Sequence, residues 1–279
     1  MPWRDVTDSP TSIAARSHRD DTLRAAFRAD ARDRVDLLRE LCAGRTVLDV
    51  GCVDHQAALV GGPGWLHGEL VAVADRCVGL DPEAAGIEAM RQLGFDAFEG
   101  RIEQLPAGVV DLGPYDVVVA GEIIEHLPDP SALFAMAADV LAPGGSLAMT
   151  TPNPYAPWRA RAGQLGLTWE NADHLCYLFP SGLAELGERH GFELTRVSTS
   201  GTNRSAESFL GSLRIFLKAV ARRVLRRPAD PVEYPATGRF SLQLPPAYVG
   251  PLELLVLRRR LVLGLSGEHA YYQFERSGG

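Results

Sequence analysis

"VVVAGEIIEHLPDPSALF" (residues 117–134) is the most informative stretch of this chain. An apolar run ends abruptly there, and Glu122, Glu125 and His126 follow it closely. We expect a helix to begin just after a buried strand, which would put these side chains at positions i, i+3 and i+4 of one helix face. Two interpretations are open at this point. The residues form a solvated first helical turn, where acids favour the helix dipole, or they converge to hold a divalent cation.

Short apolar runs alternate with helical segments on both sides of this stretch. The predicted strands are 46–50, 77–81, 96–100, 115–120 and 146–151, and helical patterns lie near 55–74, 83–93 and 131–141. Unbroken apolar strands separated by helices are typical of a parallel sheet covered on both faces, so we predict an α/β fold. Ahead of them, apolar spacing predicts one helix from Asp20 to Ala43, and the polar residues 1–19 are expected to be loose.

Composition excludes several classes of protein. Hydrophobic residues make up 46% and charged residues 23% of the 279 residues, which allows a sizeable core and argues against global disorder. A net charge of −7 disfavours a nucleic-acid surface spread over the whole protein. The first ten residues contain no apolar h-region, no apolar run is long enough to cross a membrane, and the cysteines include no C-x-x-C pair. These features predict a cytoplasmic protein with reduced thiols.

Two strand ends carry residues that suit a nucleoside cofactor. "VLDVGC" (47–52) ends the first predicted strand, and Gly51 permits close approach of the backbone to a ligand. "VGLDP" (78–82) ends the second with Asp81, whose carboxylate can accept hydrogen bonds from ribose hydroxyls. Either junction alone is common, but the two in this order predict a nucleoside cofactor.

These segments belong to a longer series that also contains "FEGRIEQLP" (98–106), "YDVVVAGEIIEHL" (115–127) and "LAPGGSLAMTTPN" (141–153). The series resembles the successive motifs of class I S-adenosylmethionine-dependent methyltransferases over roughly residues 45–200. The resemblance implies a Rossmann-like sheet of seven strands, mostly parallel, with an antiparallel last strand. It also implies a set of cofactor-binding residues: Asp49, Gly51, Cys52, Asp81, Pro82, Arg101, Ile102 and Gly121.

The resemblance gives these residues separate roles. Asp49 and Gly51 would border the methionine end of the cofactor, Asp81 would hold the ribose, and Ile102 and its neighbours would flank the adenine. Gly121 and Glu122 would lie near the reactive methyl group. The sequence also departs from the family pattern. "DVGCVDH" (49–55) lacks the second and third glycines of D-x-G-x-G-x-G, and "EGRIE" (99–103) has an arginine where an acid is usual.

A second histidine follows the fifth predicted strand in "ADHLCYLFP" (172–180). The order E-x-x-E-H, T-P-N, D-H resembles two metal-dependent branches of the superfamily, the small-RNA 2′-O-methyltransferases and the ubiquinone-pathway O-methyltransferases. Carried over residue by residue, the resemblance implies that Glu122, Glu125, His126 and His174 bind Mg²⁺ or Mn²⁺. His126, or His174 where it is not a ligand, would be the catalytic residue that takes the acceptor's proton.

The leading functional prediction is a metal-assisted O-methyltransferase that acts on a hydroxyl of a sugar, glycan or similar polyol. The alternatives are methylation of a lipid-linked catechol, methylation of a terminal RNA ribose, and a non-catalytic module that binds S-adenosylmethionine. The acidic balance of the chain disfavours RNA. Three aromatic residues could line the acceptor pocket: Tyr155, Trp158 and Trp169.

We predict four segments: an N-terminal helical segment (1–44), a methyltransferase core (45–200), a basic helix with a Pro-rich lid or docking insertion (201–262), and a C-terminal segment that supplies the last strand (263–279). Residues 208–227 carry Lys and Arg at helical spacing and no acid. Such a helix covers the acceptor site, contacts an anionic membrane, or packs as an ordinary surface helix.

Overall fold

A computed structural model describes residues 2–28, 32–53, 59–154, 156, 171–200 and 269–276. Its strands are β1 Thr46–Val50, β2 Arg76–Asp81, β3 Ala97–Glu99, β4 Tyr115–Gly121, β5 Leu141–Pro152, β6 Phe192–Ser200 and β7 His269–Arg276. They form one sheet in the order β3-β2-β1-β4-β5-β7-β6, in which β7 is antiparallel to both of its neighbours. The predicted Rossmann-like α/β fold is confirmed, and each of the five predicted strands is present.

Seven α-helices flank the sheet within the described residues. They are α1 Ile13–Ala26, α2 Arg34–Cys42, α3 Leu66–Val71, α4 Ala84–Gln92, α5 Ala107–Asp111, α6 Ser131–Val140 and α7 Pro180–Arg189, with 3-10 turns at Trp3–Asp5 and Ile124–His126. Side-chain caps start several of them. Ser12 accepts a hydrogen bond from the Ala15 backbone at the start of α1, and Asp33 accepts one from Val35 at the start of α2. The helices predicted near 83–93 and 131–141 are confirmed as α4 and α6.

The sheet is buried on both faces. In β1, Leu48 and Val50 belong to a core with the inner residues of α6 and α7, whereas Val47 belongs to a second core with Leu38 of α2 and Leu70 of α3. Because side chains alternate along a strand, Asp49 lies on the same face as Val47. The strand therefore places a carboxyl group in apolar surroundings.

The N-terminal prediction is wrong in two respects. The single helix expected from Asp20 to Ala43 is two helices, and residues 1–19 are ordered in part as the first 3-10 turn and the start of α1. Phe27 leaves α1 in an extended conformation and pairs with Val197 of the edge strand β6. Arg28 then donates its backbone N–H to the carbonyl of Val197 at 2.8 Å. This pairing covers an exposed strand edge, and it overrides the helical spacing.

The helix predicted over 55–74 is shorter than expected. Positive φ angles at Gly61 and Gly64 mark turns, and α3 begins only at Leu66; residues 54–58 lie outside the described part of the chain. Residues 208–227, for which a basic helix is predicted, and the three candidate pocket aromatics also lie outside the described part of the chain. No helix in the described ranges is long and apolar enough to span a membrane.

Candidate functional site

The candidate site lies at the carboxyl edge of the sheet, where the order of the strands changes direction. Strands β2 and β3 lie on one side of β1, and β4 and β5 lie on the other. Ligands bind in the crevice at such a point of a doubly wound sheet. The predicted cofactor residues lie at or just after the carboxyl ends of β1, β2, β3 and β4, so they meet at this edge.

Gly51 opens the loop after β1 in a conformation that requires glycine. Its φ is +78°, which L side chains rarely adopt. A Cβ atom at this position would lie 2.2 Å from Cγ2 of Ile123 in the turn after β4. The glycine lets the loop after β1 pass close to the turn after β4, and it also permits a ligand to approach the backbone.

Asp81 ends β2 and connects two loops of the site. Its Oδ2 accepts a hydrogen bond from the Val53 backbone at 3.1 Å, and its Oδ1 accepts one from the Glu83 backbone at 2.9 Å. Burial raises the pKa of this carboxyl above its ordinary value, although the two backbone donors oppose the shift. Each carboxylate oxygen has a second lone pair, which leaves capacity for a ribose hydroxyl.

The remaining predicted cofactor residues differ in exposure. Pro82 and Arg101 are exposed after β2 and β3, while Ile102 is half-buried against the core. Cys52 is buried, and burial raises the pKa of its thiol. A Cβ atom at Gly121 would lie 2.5 Å from a methyl group of Leu66, so α3 packs closely on the end of β4.

The end of β1 and the loop after it contact two residues that were not predicted from the sequence. Nδ1 of the fully buried His67 lies 2.9 Å from Oδ2 of Asp49. Two residues earlier, Trp65 donates its indole N–H to the carbonyl of Cys52 at 2.8 Å. These contacts join the first connection to the end of β1, and no motif or spacing indicates them. A lone histidine in the apolar segment "GWLHGEL" (64–70) is the one available signal.

The residues after β4 do not form the predicted helix. Glu122 has a left-handed backbone with φ +59°, and Ile124–His126 is a single 3-10 turn. Leu127 is extended because Pro128 follows it, and a residue before proline is disfavoured in the helical region. Helix α6 therefore begins only at Ser131, and the spacing i, i+3, i+4 does not describe this segment.

Glu125, His126 and His174 nevertheless come together. Each offers one ligand atom, and these atoms all lie within 4.8 Å of one another. The ring centroids of the two histidines are 4.7 Å apart. The backbone N–H of Leu175 donates to the carbonyl of Glu125 at 2.8 Å, which ties the loop of His174 to the turn after β4.

Glu122 lies outside this group of three. Its Oε1 is 3.5 Å from Nη1 of Arg34, and the same Nη1 donates to the hydroxyl of Thr150 at 3.0 Å. Arg34 is the first residue of α2. The N-terminal part of the chain therefore contributes a side chain to the site, and this was not predicted from the sequence. The structure brings three of the four predicted metal ligands together and sets the fourth beside an arginine.

Glu125 is buried in an unusual electrostatic environment. Its side chain is 1% exposed; Oε2 accepts a hydrogen bond from the Thr151 hydroxyl at 3.0 Å, and Oε1 has no hydrogen-bond partner among the described residues. Burial, together with the negative charge of Glu122, raises the pKa of this carboxyl to about 8. An unpartnered buried oxygen costs free energy, and a cation would supply the missing interaction.

Neighbouring polar groups orient both imidazoles. Nδ1 of His126 lies 3.3 Å from Oδ2 of Asp173. Nδ1 of His174 lies 2.6 Å from the hydroxyl of Tyr177, and its Nε2 lies 3.2 Å from Nδ2 of Asn171. Such outer contacts fix ring orientation at metal and proton-transfer sites. The polar residues on either side of His174 in the sequence were a signal for them.

Comparison with known proteins identifies relatives. Residues 19–197 match the family described as methyltransferase domain, which is more than half of the chain. A Mycolicibacterium smegmatis protein named "Probable S-adenosylmethionine-dependent methyltransferase" is 33% identical over 175 residues, which are 55% of this chain and 63% of that protein. The ubiquinone biosynthesis O-methyltransferase of Nitrobacter winogradskyi is 28% identical over 204 residues, 68% of this chain and 74% of that protein. The chain thus spans less than two thirds of the length of the first relative.

A solved structure has a similar fold. It is a complex between a methyltransferase activator of Haloferax volcanii and a methyltransferase, and it contains a chain that aligns with a TM-score of 0.51 at 12% identity. The alignment covers 95% of this chain and 94% of that chain. At this level of identity, the similarity shows the fold alone.

Proposed function

Because the chain belongs to the methyltransferase domain family of class I fold, we propose that it transfers a methyl group from S-adenosylmethionine to a hydroxyl oxygen. The proposed acceptor is a sugar, glycan or other polyol with hydroxyls on adjacent carbons. The observation that carries this proposal is the group of Glu125, His126 and His174 after β4, beside the position that the resemblance gives to the reactive methyl group.

The reaction depends mainly on an aligned nucleophile. The acceptor O–H bond breaks while its oxygen forms a bond to the methyl carbon, the S–CH₃ bond breaks, and S-adenosylhomocysteine leaves. If His126 and His174 both bind the cation, the proton would pass to water; without a cation, His126 would accept it. Asp173 orients the first of these rings, and Tyr177 orients the second.

Mg²⁺ or Mn²⁺ fits this set of side chains. Glu125 offers a buried oxygen without a hydrogen-bond partner in the described residues, and His126 and His174 offer nitrogen atoms, which favour the softer Mn²⁺. When bound, the cation would lower the pKa of the acceptor hydroxyl. We propose Glu125, His126 and His174 as its ligands, with Glu122 held by Arg34 beside them.

A second candidate acceptor is a catechol. The similarity to an O-methyltransferase of ubiquinone biosynthesis favours it, and a catechol also has hydroxyls on adjacent carbons. The same three side chains would therefore serve either acceptor. Nothing in the described residues specifically favours a terminal RNA ribose or a non-catalytic role, and these two are outcomes of the experiment below.

Transfer of a labelled methyl group from S-adenosylmethionine tests the proposal. The acceptors are a sugar with a vicinal diol, a catechol and a small RNA, each with EDTA and then with added Mg²⁺ or Mn²⁺. We expect label in a diol-containing acceptor, its loss with EDTA and its return with metal. Full activity in EDTA would reject the metal, and label in RNA alone would reject the proposed acceptors. Binding of S-adenosylhomocysteine without transfer to any acceptor would indicate a non-catalytic module.

A matched pair of variants separates the site from the scaffold. We expect Glu125→Gln to lower turnover while the Kd of S-adenosylhomocysteine changes little, because Glu125 serves the acceptor side. Glu185→Gln, on α7 in an ion-pair cluster with Arg4 and Arg19, is the control and should keep wild-type turnover. Equal losses in the two variants would contradict a role of Glu125 in the reaction.

A further inference from the structure

Asp49 is an acid in apolar surroundings. The residue is 1% exposed and lies on the face of β1 that packs against α2 and α3. Burying a carboxylate is costly unless the group is paired and hydrogen-bonded. Nδ1 of His67, 2.9 Å from Oδ2, supplies that bond. Because an ionised carboxylate only accepts hydrogen bonds, Nδ1 is the nitrogen that carries the proton.

Ring contacts and a hydrogen bond fix the position of the first turn of α3, which carries His67. The imidazole packs against the rings of Trp65 and Phe95, with centroid distances of 5.2 and 5.7 Å. Trp65 is anchored in turn by its hydrogen bond to the carbonyl of Cys52. One turn of the first connection is therefore bonded to the end of β1 at two points, on either side of Gly51.

The hydrogen bond with His67 uses only one of the two carboxylate oxygens of Asp49. Oδ1 of Asp49 is buried and has no hydrogen-bond partner among the described residues. An ionised oxygen in this state fits a donor that arrives with a ligand. The methionine end of S-adenosylmethionine carries a positively charged donor, its ammonium group, whereas the donors of the nucleoside end, the ribose hydroxyls and the adenine amino group, are uncharged.

We propose that His67 is a positioning residue of the cofactor site, which holds Asp49 by Oδ2 so that Oδ1 receives the methionine end of the cofactor. This inference rests on the proposed function, because it requires S-adenosylmethionine as the ligand. It assigns a role to the long first connection, which brings the imidazole to the strand end. It also predicts that the pair acts on the amino-acid end of the ligand and not on its nucleoside.

Calorimetric binding of two ligands tests this role. S-adenosylhomocysteine has the amino-acid end, and methylthioadenosine has the nucleoside without it. We expect His67→Leu to weaken S-adenosylhomocysteine about 10-fold to 100-fold, the effect of losing a hydrogen bond to a charged group. Methylthioadenosine should bind the variant as it binds the wild type, within about threefold. Equal weakening of both ligands, or of neither, would overturn the inference.

Two isosteric variants guard against a folding defect. The side-chain amide of Asn places an N–H near the position of Nδ1, whereas that of Gln places one near the position of Nε2. His67→Asn should therefore keep the affinity for S-adenosylhomocysteine, and His67→Gln should lose this affinity. Equal affinities of the Asn and Gln variants would also overturn the inference, even if His67→Leu does not fold. His190→Leu is the matched control, since His190 lies within hydrogen-bond distance of Ser131 and stacks on Phe134 of α6. A wild-type protein that binds neither ligand would contradict the proposed function itself.

Discussion

Replacing Gly51 with alanine tests the geometry of the cofactor loop. The new side chain would have to adopt φ +78°, which costs an L residue about 1–2 kcal/mol. Its Cβ would also lie 2.2 Å from Cγ2 of Ile123, and overpacking of this kind typically costs about 1–3 kcal/mol. We therefore expect Gly51→Ala to lower the free energy of unfolding by about 2–5 kcal/mol, measured by urea denaturation.

The chain offers a control for each part of this cost. Gly44 has φ +66° with nothing within 4 Å of its Cβ position, so Gly44→Ala should show the backbone cost alone. Ile123→Ala removes the atom that clashes, so the double variant Gly51→Ala/Ile123→Ala should lose less than the sum of its two single variants. Equal costs at the two glycines, with strictly additive behaviour of the double variant, would refute the predicted contact between the loops.

Three further predictions concern acidic residues. Asp81→Ala should weaken binding of S-adenosylhomocysteine by about 1.5–3 kcal/mol in calorimetry, and an unchanged Kd would contradict its role at the ribose. The pKa of Glu125 is raised to about 8 from an ordinary 4.5, so the folded protein favours the protonated carboxyl group. In EDTA, the wild type should therefore lose stability as pH rises from 4.5 to 8. Urea denaturation of Glu125→Gln should lack that loss. At Glu185, burial acts to raise the pKa, but the hydrogen bonds, led by the one from Arg4, lower it to about 2. The contribution of Glu185 to stability is therefore present above pH 4.5 and is lost as pH falls toward 2. Glu185→Gln should make the free energy of unfolding depend less on pH on the acid side, and an unchanged pH dependence would count against the ion-pair cluster of Glu185.

The sheet could be predicted because its strands are buried on both faces. Continuous apolar runs such as 46–50 and 115–120 leave little choice of conformation, and the strand–helix alternation specifies parallel pairing. Gly51 follows the first of these runs, and Asp81 ends the run 77–81, so their place at the carboxyl edge follows from the strands. The family match is confirmed for the same segments.

The errors arose where distant parts of the chain decide local structure. Phe27 fits a helical pattern, yet its backbone is extended because it pairs with Val197 at the edge of the sheet. The turn after β4 was misread because the spacing of Glu122, Glu125 and His126 suits a helix, whereas Pro128 prevents a helix from passing through it. A close reading of "HLPDP" (126–130) could have shown this.

Other parts of the site could not be derived from the sequence. The contact of His67 with Asp49 joins residues 18 positions apart across the sheet edge, and the contact of Arg34 with Thr150 joins residues 116 apart. No periodicity connects such positions, since they depend on how α2 and α3 pack on the sheet. The group formed by Glu125, His126 and His174 was foreseen through the resemblance, although the helix expected to create it is absent.

A crystal structure with S-adenosylhomocysteine and Mn²⁺ would show whether Glu125, His126 and His174 bind a metal beside the cofactor. Anomalous diffraction at the manganese edge locates the ion independently of the protein atoms. We predict one anomalous peak within bonding distance of Glu125, His126 and His174, with the cofactor's sulfur facing it and its ribose on Asp81. A structure in which the cofactor binds and no peak appears at these three residues would contradict a metal-assisted transfer.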